Sequence, residues 1–189
     1  MASRHAPTPR LLDTTTRTGT IADAVNLLLA TRGASALTMR AIAAECRLSP
    51  AALSLHYGSR RHMLAVAALA TSRARTARMQ ERARRDGVLA FLPREPEEVL
   101  DVRAWLAWCE LDRDEEALHH TMWWARAEDR ALLDDTLDHR LGPTDLDLLV
   151  AAIDGLAVAL CRPEDPMPLP AAQELLQRLA ADLIDRSAA

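Results

Sequence analysis

From Ile21 onward, apolar side chains return every three or four positions along most of the chain, and alternating β-branched runs are nearly absent. That spacing gathers apolar groups on one face of a helix but scatters them over both faces of a strand, so an all-α protein is expected. The first helix should run from about Thr16 to Arg32, with Ile21, Ala24, Val25, Leu28 and Leu29 on its buried face and Gly33 as a left-handed cap. Thr38 reads as the N-cap of a short helix, Met39 to about Glu45; Ser49 followed by Pro50 starts another, ending near His56. Gly58 and Ser59 stop that helix and cap a long one from Arg60 to Asp86. Two short helices joined by a tight turn read as a helix-turn-helix, whose second helix general docking geometry puts in the DNA major groove.

Composition narrows the class. Hydrophobic residues are 49% and charged residues 26%, which excludes wholesale disorder. The longest apolar stretch, Leu148 to Cys161, is broken by Asp154 and Gly155 and falls short of the roughly 20 residues a bilayer needs. No membrane partner is expected, and the first ten residues lack the apolar region of a secretory signal, so a cytoplasmic location is expected. Cys46, Cys109 and Cys161 lie too far apart for a metal or redox pair. The net charge of -4 hides a split: residues 1–85 hold fourteen arginines against four acids, whereas 86–189 hold nine against 23. A basic head on an acidic body fits a module that neutralises phosphates.

The stretch 21–64, IADAVNLLLATRGASALTMRAIAAECRLSPAALSLHYGSRRHML, carries Arg32-Gly33, Leu37-Thr38-Met39-Arg40, Ile42-Ala43, Leu48-Ser49-Pro50, Leu53, His56-Tyr57 and Gly58-Ser59-Arg60. It resembles the N-terminal domain of TetR-type transcriptional regulators, over about a quarter of the chain. The remainder is similar only in length and helical layout, including Ile153-Asp154-Gly155-Leu156. The resemblance implies that Thr38, Ser49, Ser54, His56 and Arg60 face the sugar-phosphate backbone, with Ala51, Ala52 and Leu55 near base edges and Arg40 in either role. The turn carries Arg47 where such proteins have glycine; if left-handed, it costs about 1 kcal/mol. Ser54 replaces a tyrosine that touches phosphate in such proteins, and Leu55 a position often polar or basic. Ala51 and Ala52 can touch a thymine methyl but donate no hydrogen bond, which leaves specificity to Arg40, Arg47 or DNA shape. Arg4 and Arg10 lie in a Pro-containing arm that can reach DNA, while the Arg73 to Arg85 run reads as a solvated helix face.

Three domains follow: a flexible arm over 1–15, a helix-turn-helix over 16–62, and an effector-binding and dimerisation body over 63–189. In the body, helices are expected over Glu97–Leu111, Glu115–Ala127 and Asp129–Arg140. All four tryptophans fall in the first two, so Trp105, Trp108, Cys109, Met122 and Trp123, with His119 as a polar contact, are the candidate lining for an apolar or aromatic small-molecule effector; core packing is the rival reading. Leu149, Val150, Ile153, Ala157 and Leu160 share a face over Thr144–Cys161, as do Leu175, Leu176, Leu179 and Leu183 over Leu169–Arg186. A monomer core gives the same stripes, but two recognition helices one DNA turn apart on a palindrome need a homodimer. His119-His120 and Asp134, Asp135, Asp138 and His139 are metal-capable, yet no catalytic motif accompanies them; no enzyme activity, metal or cofactor is expected. The working expectation is a ligand-responsive repressor of a palindromic operator. The alternative is a helical interaction protein of the same fold that has lost sequence-specific DNA binding.

Overall fold

The computed structural model describes residues 14–187, which form eight α-helices linked by turns, with no strand among them. Helix α1 spans Thr14–Arg32, so two residues assigned to the arm are helical; Arg4 and Arg10 lie outside the described residues. Gly33 follows at φ 73 and ψ 179. This is not the left-handed helical cap expected but an extended conformation that is open essentially to glycine alone. A short 3-10 turn, Ala34–Ala36, then leads to α2, Met39–Glu45.

Side-chain caps punctuate the next three helices as their sequence implies. Thr38 Oγ1 accepts from the Ala41 amide and Ser49 Oγ from the Ala52 amide, each at 3.1 Å, opening α2 and α3 (Pro50–Tyr57). Ser59 Oγ accepts from the His62 amide at 3.1 Å to open α4, Arg60–Asp86. Between α2 and α3 the Arg47 amide donates to Ala44 O at 3.1 Å and the Leu48 amide to Ala43 O at 2.8 Å. These two bonds make a Schellman motif, whose left-handed position ordinarily takes glycine. Arg47 occupies it at φ 55, so the anticipated strain is present.

Helix α5 covers Val99–Leu111, α6 Glu116–Thr136, α7 Pro143–Leu160 and α8 Leu169–Ser187. The break expected near Glu128 does not occur, and α6 is continuous. Leu118, Met122, Ala125 and Leu133 are buried at helical spacing, and Asp129 keeps the same inward register because Arg75 of α4 meets it there. A buried acid with a partner is not a helix breaker.

Two apolar clusters hold the molecule. The first joins Ile21, Val25, Leu28, Ile42, Leu53, Tyr57 and Met63 to Trp105, Trp108, Leu118 and Met122, crossing from helix-turn-helix to body without a gap. The second gathers Leu133, Leu137, Leu146, Leu149, Leu160, Leu176 and Leu183 from the ends of α6, α7 and α8. Burying each leucine contributes about 1.5–3 kcal/mol. Helix α4, 27 residues and about 40 Å long, runs from the first cluster past the second and packs on α1 and α6.

Candidate functional site

Helix α3 buries Leu53 and Tyr57 against α1, α2 and α4. Its other side exposes Ala51, Ala52, Ser54, Leu55 and His56. The His56 ring meets Tyr57 edge-on at 4.7 Å. Thr38, Ser49, Arg40 and Arg47 are also exposed, and neither Arg40 nor Arg47 has an ion-pair partner among the described residues. Arg60, placed by resemblance at a phosphate, is engaged otherwise. Its Nε donates to Leu37 O at 2.9 Å and its Nη1 to Glu115 at the start of α6, while Arg61 pairs with Glu116 at 3.1 Å. These two arginines tie the first turn of α4 to the body.

The arginine excess of the first half is therefore only partly turned outward. Arg60, Arg61, Arg75, Arg78 and Arg82 each pair with an acid of the second half: Glu115, Glu116, Asp129, Asp101 and Glu98. The run expected to be a solvated face thus includes two inward members. Side chains of Arg75 and Arg82 are only 22% and 18% exposed, because acids of the body reach them and Leu92 O accepts from Arg82 at 2.8 Å. Charge separation along the chain doubles as charge attraction between the halves.

Behind α4 lies a cavity of about 100 Å³ bounded by α5 and α7, with a smaller space of about 50 Å³ adjoining it beside α6. Arg75, Phe91, Trp105, Ile153 and Asp154 line both. The Arg75 guanidinium lies 4.2 Å from the Trp105 ring centroid and pairs with Asp129. The second oxygen of Asp129, Oδ1, is buried without a hydrogen-bond partner. Burial holds this carboxyl above the ordinary carboxylate range, with the Arg75 charge opposing.

Of the six nominated effector residues, only Trp105 lines these spaces. Trp108 and Met122 belong to the apolar cluster beneath the helix-turn-helix; Trp108 Nε1 donates to Asn26 Oδ1 at 2.8 Å. Cys109 is half-buried, its thiol pushed up by burial against the influence of Arg126. His119 is exposed, and Trp123 is 67% exposed with His120 stacked on it at 6.4 Å. Tryptophan clustering in sequence did not become clustering at one wall: Trp105 reaches the cavity, Trp108 stays within the apolar cluster and Trp123 turns to solvent. Arg75, Asp129, Phe91 and Asn26 went unnominated. Asn26 had a legible signal: it is the polar residue amid the apolar run of α1, and it also accepts from Thr71 Oγ1 of α4 at 3.1 Å.

The nominated dimer stripe is largely consumed within one subunit. Leu149, Leu160, Leu176 and Leu183 are buried in the second cluster, and Val150, Ile153 and Leu179 pack against it. Ala157 is half-buried and lines the cavity. Leu175 remains 46% exposed, alongside Leu148 and Val158 of α7 at 47% and 52%. Ala151 and Gly155, between those two, are exposed as well.

Among the described residues no group of three or more His, Cys, Asp or Glu is placed to hold a metal, and no helix is long and apolar enough to cross a membrane. At the end of α6, His139 Nδ1 lies 2.9 Å from Asp134 Oδ2, and its pair with that carboxylate raises its pKa.

An exposed helix-turn-helix fused through a long shared helix to a helical body makes a two-part architecture. Residues 21–67 match the sequence family described as bacterial regulatory proteins, tetR family. The fold agrees over nearly the whole chain. A transcriptional regulator from Rhodococcus sp. Rha1 superposes with a TM-score of 0.78 at 20% identity, over 92% of this chain and 97% of that one. A protein assigned to the TetR-family transcriptional regulators, from Rhodococcus sp., gives 0.73 at 19%, over 89% and 99%. The multidrug binding protein EbrR, complexed with ethidium, gives 0.56 at 20%, over 86% and 98%. No curated protein matches the chain in sequence. Residues 21–67 thus carry the sequence signature of the tetR family, and the chain as a whole shares its fold with these regulators of known structure.

Proposed function

We propose that this regulator grips a palindromic duplex as a homodimer, represses from it, and releases it when a small molecule enters the cavity behind α4. On the DNA side, α3 enters the major groove, Thr38, Ser49, Ser54 and His56 meet the sugar-phosphate backbone, and Arg40 and Arg47 supply the free cations. Arg60 contributes indirectly, by holding α4 against α6. On the dimer side, Leu148, Ala151, Gly155 and Val158 of α7, with Leu175 of α8, pair with the same stripe of a second copy.

The observation that carries this reading is that one helix serves both ends. The first turn of α4 follows α3 directly, and Arg75, midway along the same helix, stands in the cavity between Trp105 and Asp129. At about 100 Å³ the cavity is smaller than the ~300–1,000 Å³ of drug-sized sites, so a ligand has to displace a wall to enter. Arg75 is the wall residue with the most to lose, since any ligand stacking on Trp105 or donating to Asp129 competes with it. Displacing it moves α4, and a coupling of about 1–3 kcal/mol changes DNA affinity about 5- to 150-fold. The likeness to EbrR, itself complexed with ethidium, favours a planar aromatic ligand.

Genomic footprinting with the purified protein tests the reading. Discrete palindromic footprints, weakened by Arg40→Ala and retained in Arg75→Ala with altered response to ligand, are the expected result. A monomer with no hold on any duplex at low ionic strength would overturn it and leave the interaction-protein alternative.

A further inference from the structure

We propose that α3 reads the methyl groups of thymine, and that Leu55 is the residue setting where they must stand. The proposal rests on the reading of α3 as a major-groove helix. Leu55 is 90% exposed, the most exposed of the large apolar side chains among the described residues. None of the described residues covers it. It shares a ridge with Ala51 and Ala52, four and three positions before it, and both are exposed. Leu53 and Tyr57 hold the opposite face in the core, so the register of this ridge is set by packing.

The chemistry of the ridge is exclusive. Helix α3 carries no Arg, Lys, Asn or Gln, so it has no forked donor for guanine O6 and N7 or for the adenine N6 and N7 edge. Ser54 is short, and the His56 ring is braced edge-on by Tyr57. Arg40 and Arg47, which have no ion-pair partner among the described residues, lie on α2 and in the turn rather than on the ridge. The major-groove floor offers one apolar group, the thymine C5 methyl. A ridge of two alanines and a leucine complements that group and no other base substituent. Two methyl-sized side chains at the helix N-terminus also require close backbone approach, which the absence of bulk there permits. Ala51 and Leu55 are separated by about 6 Å along the helix, or roughly two base-pair steps. Each half-site is therefore expected to present thymines about two steps apart.

The test begins with selection of bound duplexes from a randomised pool. Each thymine of the selected half-site is then replaced by deoxyuridine, which keeps the hydrogen-bonding edge and loses only the methyl. Anisotropy titrations follow for the wild type and Leu55→Ala. Wild-type binding is expected to weaken about 3- to 10-fold at one or two positions. Leu55→Ala should lose a similar factor on the thymine duplex and become indifferent to deoxyuridine at one of them. Its melting temperature, and its salt slope on unrelated duplex, should not change. If deoxyuridine is neutral everywhere, or Leu55→Ala keeps the full penalty, methyl reading is wrong. Salt-dependent duplex binding without any selected sequence would overturn it while sparing the DNA-binding reading; no duplex binding at low salt would overturn both.

Discussion

Replacing Arg47 with glycine should make the protein more stable and its hold on DNA weaker. In the Schellman turn the residue sits at φ 55, where Cβ crowds the neighbouring carbonyl at a cost of about 1–2 kcal/mol. Glycine removes the crowding but loses about 0.5–1 kcal/mol through its wider freedom when unfolded, leaving a net gain of about 0.5–1 kcal/mol. For a chain of this size that raises Tm by about 1–4 °C. Arg47 is also exposed without an ion-pair partner among the described residues. If, as proposed, each copy in the dimer sets Arg47 on one phosphate, losing both contacts should lower the slope of log affinity against log salt by about 1.8. Arg47→Ala separates the effects: it removes the charge and keeps Cβ, so its slope should fall alike with no gain in Tm. Thermal melts at fixed protein concentration and anisotropy titrations at several salt concentrations read both. If Arg47→Gly melts no higher than Arg47→Ala, the strain argument is refuted.

Arg40→Ala and Arg60→Ala should differ in kind: the first flattens the salt dependence, whereas the second chiefly lowers stability by leaving the part-buried Glu115 carboxylate unpaired, seen in melts without DNA. Leu176→Ala, at a fully buried position, should cost about 2–5 kcal/mol in denaturant unfolding. Leu148→Asp or Val158→Asp should leave the fold and shift the oligomeric state, measured by sedimentation; a dimer unaffected by both would refute the proposed interface. His139 gains a carboxylate partner on folding, so its folded pKa lies above the unfolded one. Its stabilisation is thus complete below the ordinary imidazole value and fades as pH rises through the raised one. An NMR titration should show that raised midpoint, and Asp134→Asn should bring it down.

Local interactions explain what could be read directly from the residues. Thr38, Ser49, Ser59 and the Arg47 turn act through bonds to amides or carbonyls within five positions, and α1 to α4 accordingly begin and end within two residues of where their sequence puts them. The resemblance over 21–64 and the exposed face of α3 follow from the same local rules. Partners distant along the chain decided the rest. Whether Arg75 was solvated or buried depended on Asp129, and whether α6 broke near Glu128 depended on Arg75, 54 positions before Asp129. Periodicity identified which faces of α7 and α8 are apolar, but a helix with leucines around more than half its circumference has two apolar neighbours to satisfy. Only packing determined that Leu149 and Leu176 are buried within the chain while Leu148 and Val158 stay exposed. Amino-acid order determined the helices and their caps because those energies are local; the cavity and the choice of which apolar faces stay exposed were left to tertiary structure, because burial belongs to pairs of surfaces.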